Sequence, residues 1–406
     1  MRFFGRFLRS RTVVLVAGKF SLTIAQGAVL IVLGRSLGAG AVGTYTLALA
    51  IVSPFFLFGH LRLQDKLASD PEAETRWPEY RNAMALGGLA AFILSVLIAA
   101  IYPTPGLFSV AVPLALARLS ESYAFMVHGY WQGLGRMRMV AGANVSRSAG
   151  LVVGTVVGLL GTGQLSGAVW GAALVSLAIT PMLEGRERIR QDRRGNLRQV
   201  WRIVRNLAPL GGVAVLLSMN QTVVRLVIER SVGVAELGIF AATAYLVRIG
   251  SILAQAIGQA RSPEIRQATM TGDRRSVARH GLHSALIAAL VGCAAAVGMI
   301  AMGPWLMLVA FGEDFVPARV LIAAIFAAGI PLFVSTSLTV STVAAGRRGA
   351  YLGAVMASLV VTTVAVLSLA PRYGSAGAAL GWATGELTGA LLLVLLAAKI
   401  AHKPPN

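Results

Sequence analysis

The sequence predicts an all-α membrane protein with twelve transmembrane helices. Of its 406 residues, 56% are hydrophobic and only 13% are charged, whereas a soluble domain carries about 25% charged residues. Apolar runs of about 20 residues recur along the whole chain, and a run of that length crosses a hydrocarbon core of about 30 Å as one helix. The Lys and Arg residues cluster between successive pairs of runs, as expected when pairs of helices form membrane hairpins.

The predicted spans form six pairs, and cationic residues bracket every pair. In chain order, spans 12–33 and 42–60 lie between Arg11 and Arg62, spans 83–102 and 107–127 between Arg81 and Arg136, and spans 139–160 and 165–183 between Arg138 and Arg186. Spans 207–229 and 235–258 lie between Arg205 and Arg261, spans 281–303 and 317–343 between Arg279 and Arg347, and spans 350–369 and 375–398 between Arg348 and Lys399. These cations therefore all belong to one side of the membrane.

Loops on the other side carry few cations, namely Arg35, Arg230, Arg319 and Arg372. Because loops rich in Lys and Arg stay in the cytoplasm, both termini of this multi-pass protein are expected there. The same asymmetry accounts for the net charge of +20, so we expect membrane lipids, and no nucleic acid, among the partners. The Arg-rich segment 184–206 is interpreted as an extramembrane link that anchors the topology.

The two halves of the chain match in sequence, which predicts two lobes of six helices. At an offset of 195 residues, Gln26 and the segment 35–38 align with Gln221 and the segment 230–233. At an offset of 210 residues, the segment 167–171 aligns with 377–381. Six crossings return the chain to the same side, so the lobes, 1–195 and 196–406, are expected to be parallel repeats, which occur in secondary transporters. A channel or a scaffold also arises by duplication, and both stay open.

Four local segments resemble one known family. They are Gly34-Arg35-Ser36-Leu37-Gly38-Ala39-Gly40-Ala41-Val42-Gly43-Thr44-Tyr45, Gln132-Gly133-Leu134-Gly135-Arg136, Phe311-Gly312-Glu313-Asp314-Phe315 and Arg372-Tyr373-Gly374-Ser375-Ala376-Gly377-Ala378-Ala379. As a set they make the chain similar to the polysaccharide and O-antigen flippases of the multidrug/oligosaccharidyl-lipid/polysaccharide exporter superfamily. The resemblance implies two six-helix lobes around a central cavity, in the bacterial inner membrane. It also implies that undecaprenyl-diphosphate-linked oligosaccharide moves from the cytoplasmic to the periplasmic leaflet, by alternating access, for O-antigen or exopolysaccharide assembly.

Five cations lie inside predicted spans, where a charge costs a few kcal/mol or more and usually faces a cavity or a partner. They are Lys19, Arg118, Arg147, Arg225 and Arg248. In the resembled family the first, second, seventh and eighth helices border the cavity, and this implies that Lys19, Arg225 and Arg248 face it. Two or three cations there would suit a diphosphate, and the amides of Gln26 and Gln221 would add hydrogen bonds.

Structural readings of the same residues stay open. Lys19 could reach the cytoplasmic interface with its long side chain, and Arg225 could pair with Glu229 four residues later. Arg118 and Arg147 are interpreted as structural, the first through an ion pair with Glu121, three residues later.

Glu386 is the deepest acid without an evident partner nearby in the sequence. It is a candidate for taking and releasing a coupling proton, or it is protonated and hydrogen-bonded inside the bundle; sodium coupling stays open too. The sequence has no Gly-rich nucleotide-binding loop, no nucleophile with a neighbouring base and no metal-ligand cluster. We therefore expect a protein that is not an enzyme and that uses no cofactor or metal.

Two other functions stay open. A multidrug or cation antiporter of the same superfamily would favour acidic groups in its cavity, whereas the expected cavity helices offer Lys19 and Arg225. A non-transporting scaffold of a polysaccharide-assembly complex would bind a polysaccharide polymerase or other assembly proteins through its basic loops.

Overall fold

The computed structural model describes residues 11–183 and 195–402, and the side chains of residues 11–17, 19 and 402 lie outside the description. The helices are α1 (Arg11–Gly59), α2 (Leu63–Ser69), α3 (Trp77–Ile101), α4 (Leu107–Gly133), α5 (Met137–Thr162), α6 (Leu165–Leu183), α7 (Leu197–Ser231), α8 (Val234–Ala260), α9 (Ser262–Met270), α10 (Arg274–Phe311), α11 (Arg319–Ala344) and α12 (Arg348–His402), with a 3₁₀ turn at Glu313–Phe315. Over these described ranges, ten helices are long and apolar enough to cross a membrane. The prediction of an all-α, multi-pass membrane protein is confirmed.

Every predicted span lies within one of the ten long helices, with at most two residues beyond a helix end. Two helices contain two spans each: α1 has 49 residues and α12 has 55, which corresponds to roughly 75 and 80 Å of straight helix. Each is interrupted by a glycine with non-helical backbone angles, Gly38 (φ 78°, ψ −177°) and Gly374 (φ 61°, ψ −144°). Each glycine lies between the two spans that the sequence predicts there.

Turn glycines recur at matching places in the two halves of the chain. Gly38, Gly106, Gly135 and Gly163 have left-handed φ values, as do Gly233, Gly312, Gly346 and Gly374, which follow them by 195, 206, 211 and 211 residues. A β-carbon is strained in this region of φ, so such a turn favours glycine. The two halves thus repeat their helix ends, which supports the internal repeat read from the sequence.

The chain forms two compact units. Unit 1 comprises Met1–Leu37 and Thr44–Ser218, and unit 2 comprises Gly38–Gly43 and Met219–Asn406. The helix α7 begins in unit 1 and continues into unit 2. The predicted domains 1–195 and 196–406 divide the chain earlier, in the linker. The difference arises because Val200 and Leu207, in the first turns of α7, are buried in the core of unit 1.

Large side chains and close glycine contacts hold unit 1 together. Its main cluster of buried residues includes Trp77, Tyr80 and Trp131, contributed by α3 and α4. The helices α5 and α6 approach so closely that a β-carbon on Gly158 would overlap the carbonyl oxygen of Gly167. Lipid offers helices no hydrophobic drive to associate, so small residues that allow such backbone contacts contribute much of the packing.

The chain between α2 and α3 is fastened by Asp70, whose side chain is 5% exposed. Its carboxylate accepts hydrogen bonds from the Tyr80 hydroxyl and, at 3.0 Å, from the backbone N–H of Glu72. It also lies 3.8 Å from Lys66 Nζ and 4.0 Å from Arg76 Nη1. Burial raises the pKa of the Asp70 carboxyl, but these hydrogen bonds and charges together outweigh burial and lower the pKa below its ordinary value.

Candidate functional site

A cavity in unit 2 is lined by two arginines from successive helices, and we call it the arginine cavity. Its polar and aromatic lining includes Gln221, Arg225, Tyr245, Arg248, Ser251 and Trp382, and its volume is ≈ 50 Å³. Over the described part of the chain, no Asp or Glu is among its lining residues. Two guanidinium groups therefore face one space whose described lining contains no carboxylate, and this arrangement suits an anionic group.

The helix α7 itself positions Arg225. Gln221 precedes it by about one turn, and Arg225 Nη2 donates a hydrogen bond to Gln221 Oε1 at 3.3 Å. Glu229 lies 3.9 Å from Arg230. The alternative in which Glu229 neutralises Arg225 stays open. A guanidinium has five N–H donors, so Arg225 retains donors for a ligand.

Trp382 joins the arginine cavity to a buried polar cluster around Glu386, which we call the Glu386 cluster. Glu386 Oε1 accepts hydrogen bonds from Trp382 Nε1 at 3.0 Å and from Asn220 Nδ2 at 2.8 Å. Asn220 Nδ2 also donates to Ser358 Oγ at 3.1 Å. Asn220 Oδ1 and Thr362 Oγ1 are buried and lack hydrogen-bond partners within the described residues. Glu386 thus has hydrogen-bond partners that the sequence did not reveal. The side-chain oxygens of Asn220 and Thr362 have no hydrogen-bond partner among the described residues, although buried polar atoms usually have one.

A second cavity lies in unit 1 and holds charges of both signs, so we call it the mixed-charge cavity. Its polar lining consists of Gln26, Tyr45, Arg118, Glu121, Arg147 and Ser176, and its volume is ≈ 70 Å³. Arg118 Nη1 lies 2.5 Å from Glu121 Oε2, which confirms the predicted ion pair. Arg147 donates hydrogen bonds to Thr180 Oγ1 at 2.6 Å and to Ser176 Oγ at 3.4 Å. Arg147 is thus anchored to α6 while it also lines the cavity.

The structure places predicted site residues in a cavity of each unit. Gln221, Arg225 and Arg248 line the arginine cavity, whereas Gln26 lines the mixed-charge cavity. Lys19 lies on α1, but its side chain is outside the described residues. The binding roles of these residues stay predictions.

Sequence reasoning missed Tyr45 and Phe240, which line the two cavities. The internal repeat contained the signal, because Tyr45 aligns with Phe240 at the same offset of 195 residues that aligns Gln26 with Gln221. These two pairs occupy the two cavities correspondingly. The cavities therefore occupy equivalent places in the two halves of the chain. No three His, Cys, Asp or Glu side chains form a metal-ligand group in the ranges 11–183 and 195–402.

The chain matches a polysaccharide biosynthesis family model and is similar in fold to solved flippases and transporters. Residues 64–320 match the family model described as "Polysaccharide biosynthesis protein", and no curated protein matches the chain significantly. Lipid II flippase MurJ in an inward closed conformation is 12% identical, with a TM-score of 0.78 over 96% of this chain and 90% of that chain.

Two further solved structures have the same fold. The eukaryotic MATE transporter AtDTX14 is 13% identical, with a TM-score of 0.68 over 96% of each chain. A transporter of the MOP superfamily from Pyrococcus furiosus is 14% identical, with a TM-score of 0.67 over 96% of this chain and 94% of that one, and its title describes a binding pocket of reverse polarity. At these identities the likeness shows a fold that flippases and transporters share, and function has to be argued from the site.

Proposed function

Because the chain belongs to the polysaccharide biosynthesis protein family, we propose that it is a lipid-linked oligosaccharide flippase. It moves undecaprenyl-diphosphate-linked oligosaccharide from the cytoplasmic to the periplasmic leaflet of the bacterial inner membrane, for O-antigen or exopolysaccharide assembly. The match confirms the resemblance to polysaccharide flippases read from the sequence, and the similar solved structures are flippases and transporters rather than enzymes.

The arginine cavity is the observation that supports this substrate most directly. A diphosphate carries several anionic oxygens, and the planar guanidinium fork of arginine donates two parallel hydrogen bonds to such oxygens. Arg225 and Arg248 supply two forks, and Gln221 supplies an amide. In this cavity the two arginines would neutralise an anionic head group and donate hydrogen bonds to it, whereas they would repel a cationic drug.

Twelve crossings follow from the ten long helices if α1 and α12 each cross the membrane twice. A straight helix of their length is more than twice as long as a hydrocarbon core of about 30 Å is thick. In this proposal the chain reverses its direction at the breaks at Gly38 and Gly374. Twelve crossings, six per repeat, would leave both termini on one side of the membrane, and the asymmetry of Lys and Arg favours the cytoplasm for that side.

Alternating access is the proposed route. MATE family transporters with this fold have been solved in inward-facing and outward-facing conformations. The membrane potential supports outward movement, since each negative charge carried out of a cytoplasm at negative potential gains about 2.3 kcal/mol per 100 mV.

The Glu386 cluster is the proposed coupling site. Glu386 is 8% exposed, and a buried carboxyl group gains and loses a proton only at a cost set by its surroundings. Binding a proton at Glu386, or a sodium ion beside the unpartnered Asn220 Oδ1 and Thr362 Oγ1, would change the charge of this cluster. Either event would link an ion gradient to transport.

The test is a leaflet-resolved measurement of lipid-linked oligosaccharide in cells depleted of the protein. A flippase predicts accumulation at the cytoplasmic face, with rescue by the wild type and none by Arg248→Ala or Lys19→Ala at normal protein levels. Normal leaflet distribution with increased drug sensitivity would favour the multidrug antiporter. Loss of synthesis or of polymerisation, with rescue by both variants, would favour the scaffold that recruits a polymerase or other assembly proteins.

A further inference from the structure

The mixed-charge cavity contains hydrogen-bonding groups that the fold itself does not use. Tyr45 is 8% exposed, and neither its hydroxyl nor the Gln26 amide makes a hydrogen bond within the described residues. Glu121 bonds Arg118 through Oε2, which leaves Oε1 without a bond in the same ranges. A tyrosine hydroxyl and a side-chain amide both donate and accept, and a carboxylate oxygen accepts. The cavity thus offers donors and acceptors side by side.

The paired charges of this cavity suit uncharged hydroxyl groups. A bound cation would be repelled by Arg118 and Arg147, and a bound anion would compete with Glu121 for Arg118, which already pairs with it. A hydroxyl group donates one hydrogen bond and accepts up to two. One hydroxyl group of a sugar ring can therefore donate a hydrogen bond to Glu121 Oε1. The same hydroxyl group, or the next one on the ring, can accept a hydrogen bond from Arg118. Two neighbouring hydroxyl groups thus suit a carboxylate and a guanidinium that already form an ion pair.

The equivalent cavity in unit 2 shows how far the two halves have diverged. The arginine cavity has Phe240 where the mixed-charge cavity has Tyr45, and no Asp or Glu is among its described lining residues. One cavity therefore presents two cations, and the other presents paired charges and a hydroxyl. This difference is expected if the halves bind chemically different groups.

We propose that the mixed-charge cavity binds an uncharged sugar unit of the transported glycan, with Glu121 and Arg118 holding neighbouring hydroxyls and Tyr45 and Gln26 completing the hydrogen bonds. The assignment rests on the proposed function, because it names the part of the lipid-linked substrate that unit 1 recognises. A diphosphate lacking sugar would gain nothing from these residues.

The experiment compares the affinity of purified protein for two lipids. One is lipid-linked oligosaccharide extracted from cells that lack the protein, and the other is undecaprenyl diphosphate without sugar. Tyr45→Phe removes one hydrogen-bonding group and should weaken binding of the glycosylated lipid about three- to tenfold, while binding of the bare lipid stays unchanged. Glu121→Gln should have a larger effect in the same direction. Tyr373→Phe is the matched control, because Tyr373 is 64% exposed.

Tyr45→Phe should fold normally, since the hydroxyl has no bond to lose among the described residues and the repeat carries phenylalanine at this place. Equal binding of the glycosylated lipid by the wild type and both variants would overturn the sugar assignment while leaving the flippase proposal intact. Equal weakening of both lipids would do the same. A wild type that binds neither lipid would overturn the proposed function and the sugar assignment together.

Discussion

Replacing Arg225 with Gln tests the arginine cavity most directly. The change removes one of the two guanidinium groups that line the cavity. Within the described protein it breaks one hydrogen bond, the 3.3 Å contact with Gln221. A hydrogen bond to a charged group contributes about 1.5–3 kcal/mol. Loss of the hydrogen bond from this guanidinium to the diphosphate should therefore weaken diphosphate binding by about tenfold to a hundredfold.

The fold should tolerate Arg225→Gln. The substitution removes a charge from an apolar environment, where a charge is costly. The midpoint of thermal unfolding in detergent should stay unchanged or rise. Arg225→Lys keeps the charge but lacks the planar fork, so its affinity should fall between those of the wild type and the Gln variant.

The assay is a titration of purified protein with undecaprenyl diphosphate, paired with export of surface polysaccharide in cells. Arg230→Gln is the matched control, because Arg230 is on the same helix and its side chain is 62% exposed. It should bind the lipid like the wild type. An Arg225→Gln variant that is folded and inserted, yet binds the lipid within twofold of the wild type, would refute the assignment of the diphosphate to this cavity.

Three further predictions address coupling, the α2–α3 connection and helix packing. Glu386→Gln keeps an oxygen that can accept the same hydrogen bonds but cannot titrate, so transport in proteoliposomes should lose its response to an imposed proton gradient. Asp70→Asn should lower stability by about 1–3 kcal/mol through loss of charged hydrogen bonds, measured as the unfolding midpoint in detergent. Gly158→Ala should also lower the free energy of unfolding, by about 1–3 kcal/mol, and with it the unfolding midpoint. The reason is that a β-carbon at this position would overlap the backbone of α6.

Each prediction has a control and a contrary outcome. A response of Glu386→Gln to the proton gradient equal to that of the wild type would exclude a coupling proton there, and a retained response to sodium alone would assign the coupling to sodium. Asp65→Asn should change stability less than Asp70→Asn, since Asp65 is 63% exposed. Gly142→Ala, on the same helix with open space around it, should be neutral or stabilising; equal effects of the two alanine variants would contradict the packing account.

The pH dependence of the Asp70 contribution has a definite sign. The folded state holds the pKa of this carboxyl below its ordinary value of 3.8. Its stabilising contribution is therefore fully present above pH 3.8 and is lost as the pH falls through the lower, folded value. The stability difference between wild type and Asp70→Asn should shrink over that acidic range, and a difference that stays constant as the pH falls would contradict the assignment.

Most of the fold could be predicted because the relevant signals are local. An apolar run of about 20 residues is a property of the run alone, and all twelve spans fall within the observed helices to within two residues. The pair Arg118 and Glu121 was predictable for the same reason, since residues three apart share a helix face. For Arg225 and Glu229 the same reasoning allows a contact, and the rotamers of two long side chains decide whether it forms.

The candidate site could be predicted only in part. Arg225 and Arg248 were singled out by the cost of a charge inside a span, and they line one cavity. Gln26 was expected beside them but lines the cavity of unit 1. The contact between Asn220 and Glu386 joins residues 166 positions apart, and no local pattern announces it.

The sequence by itself determined the helical spans and the repeat between the two halves, and the asymmetry of Lys and Arg predicts the orientation of the spans. Hydropathy, charge and turn glycines act over one helix or one loop, so the linear order of residues contains them. Only the tertiary structure decided that two equivalent cavities exist, that one presents two arginines, and that the other pairs an arginine with a glutamate. Helices in lipid associate through backbone approach and side-chain shape rather than through a hydrophobic contrast. For this reason hydropathy does not show which helix faces meet or which polar groups they enclose.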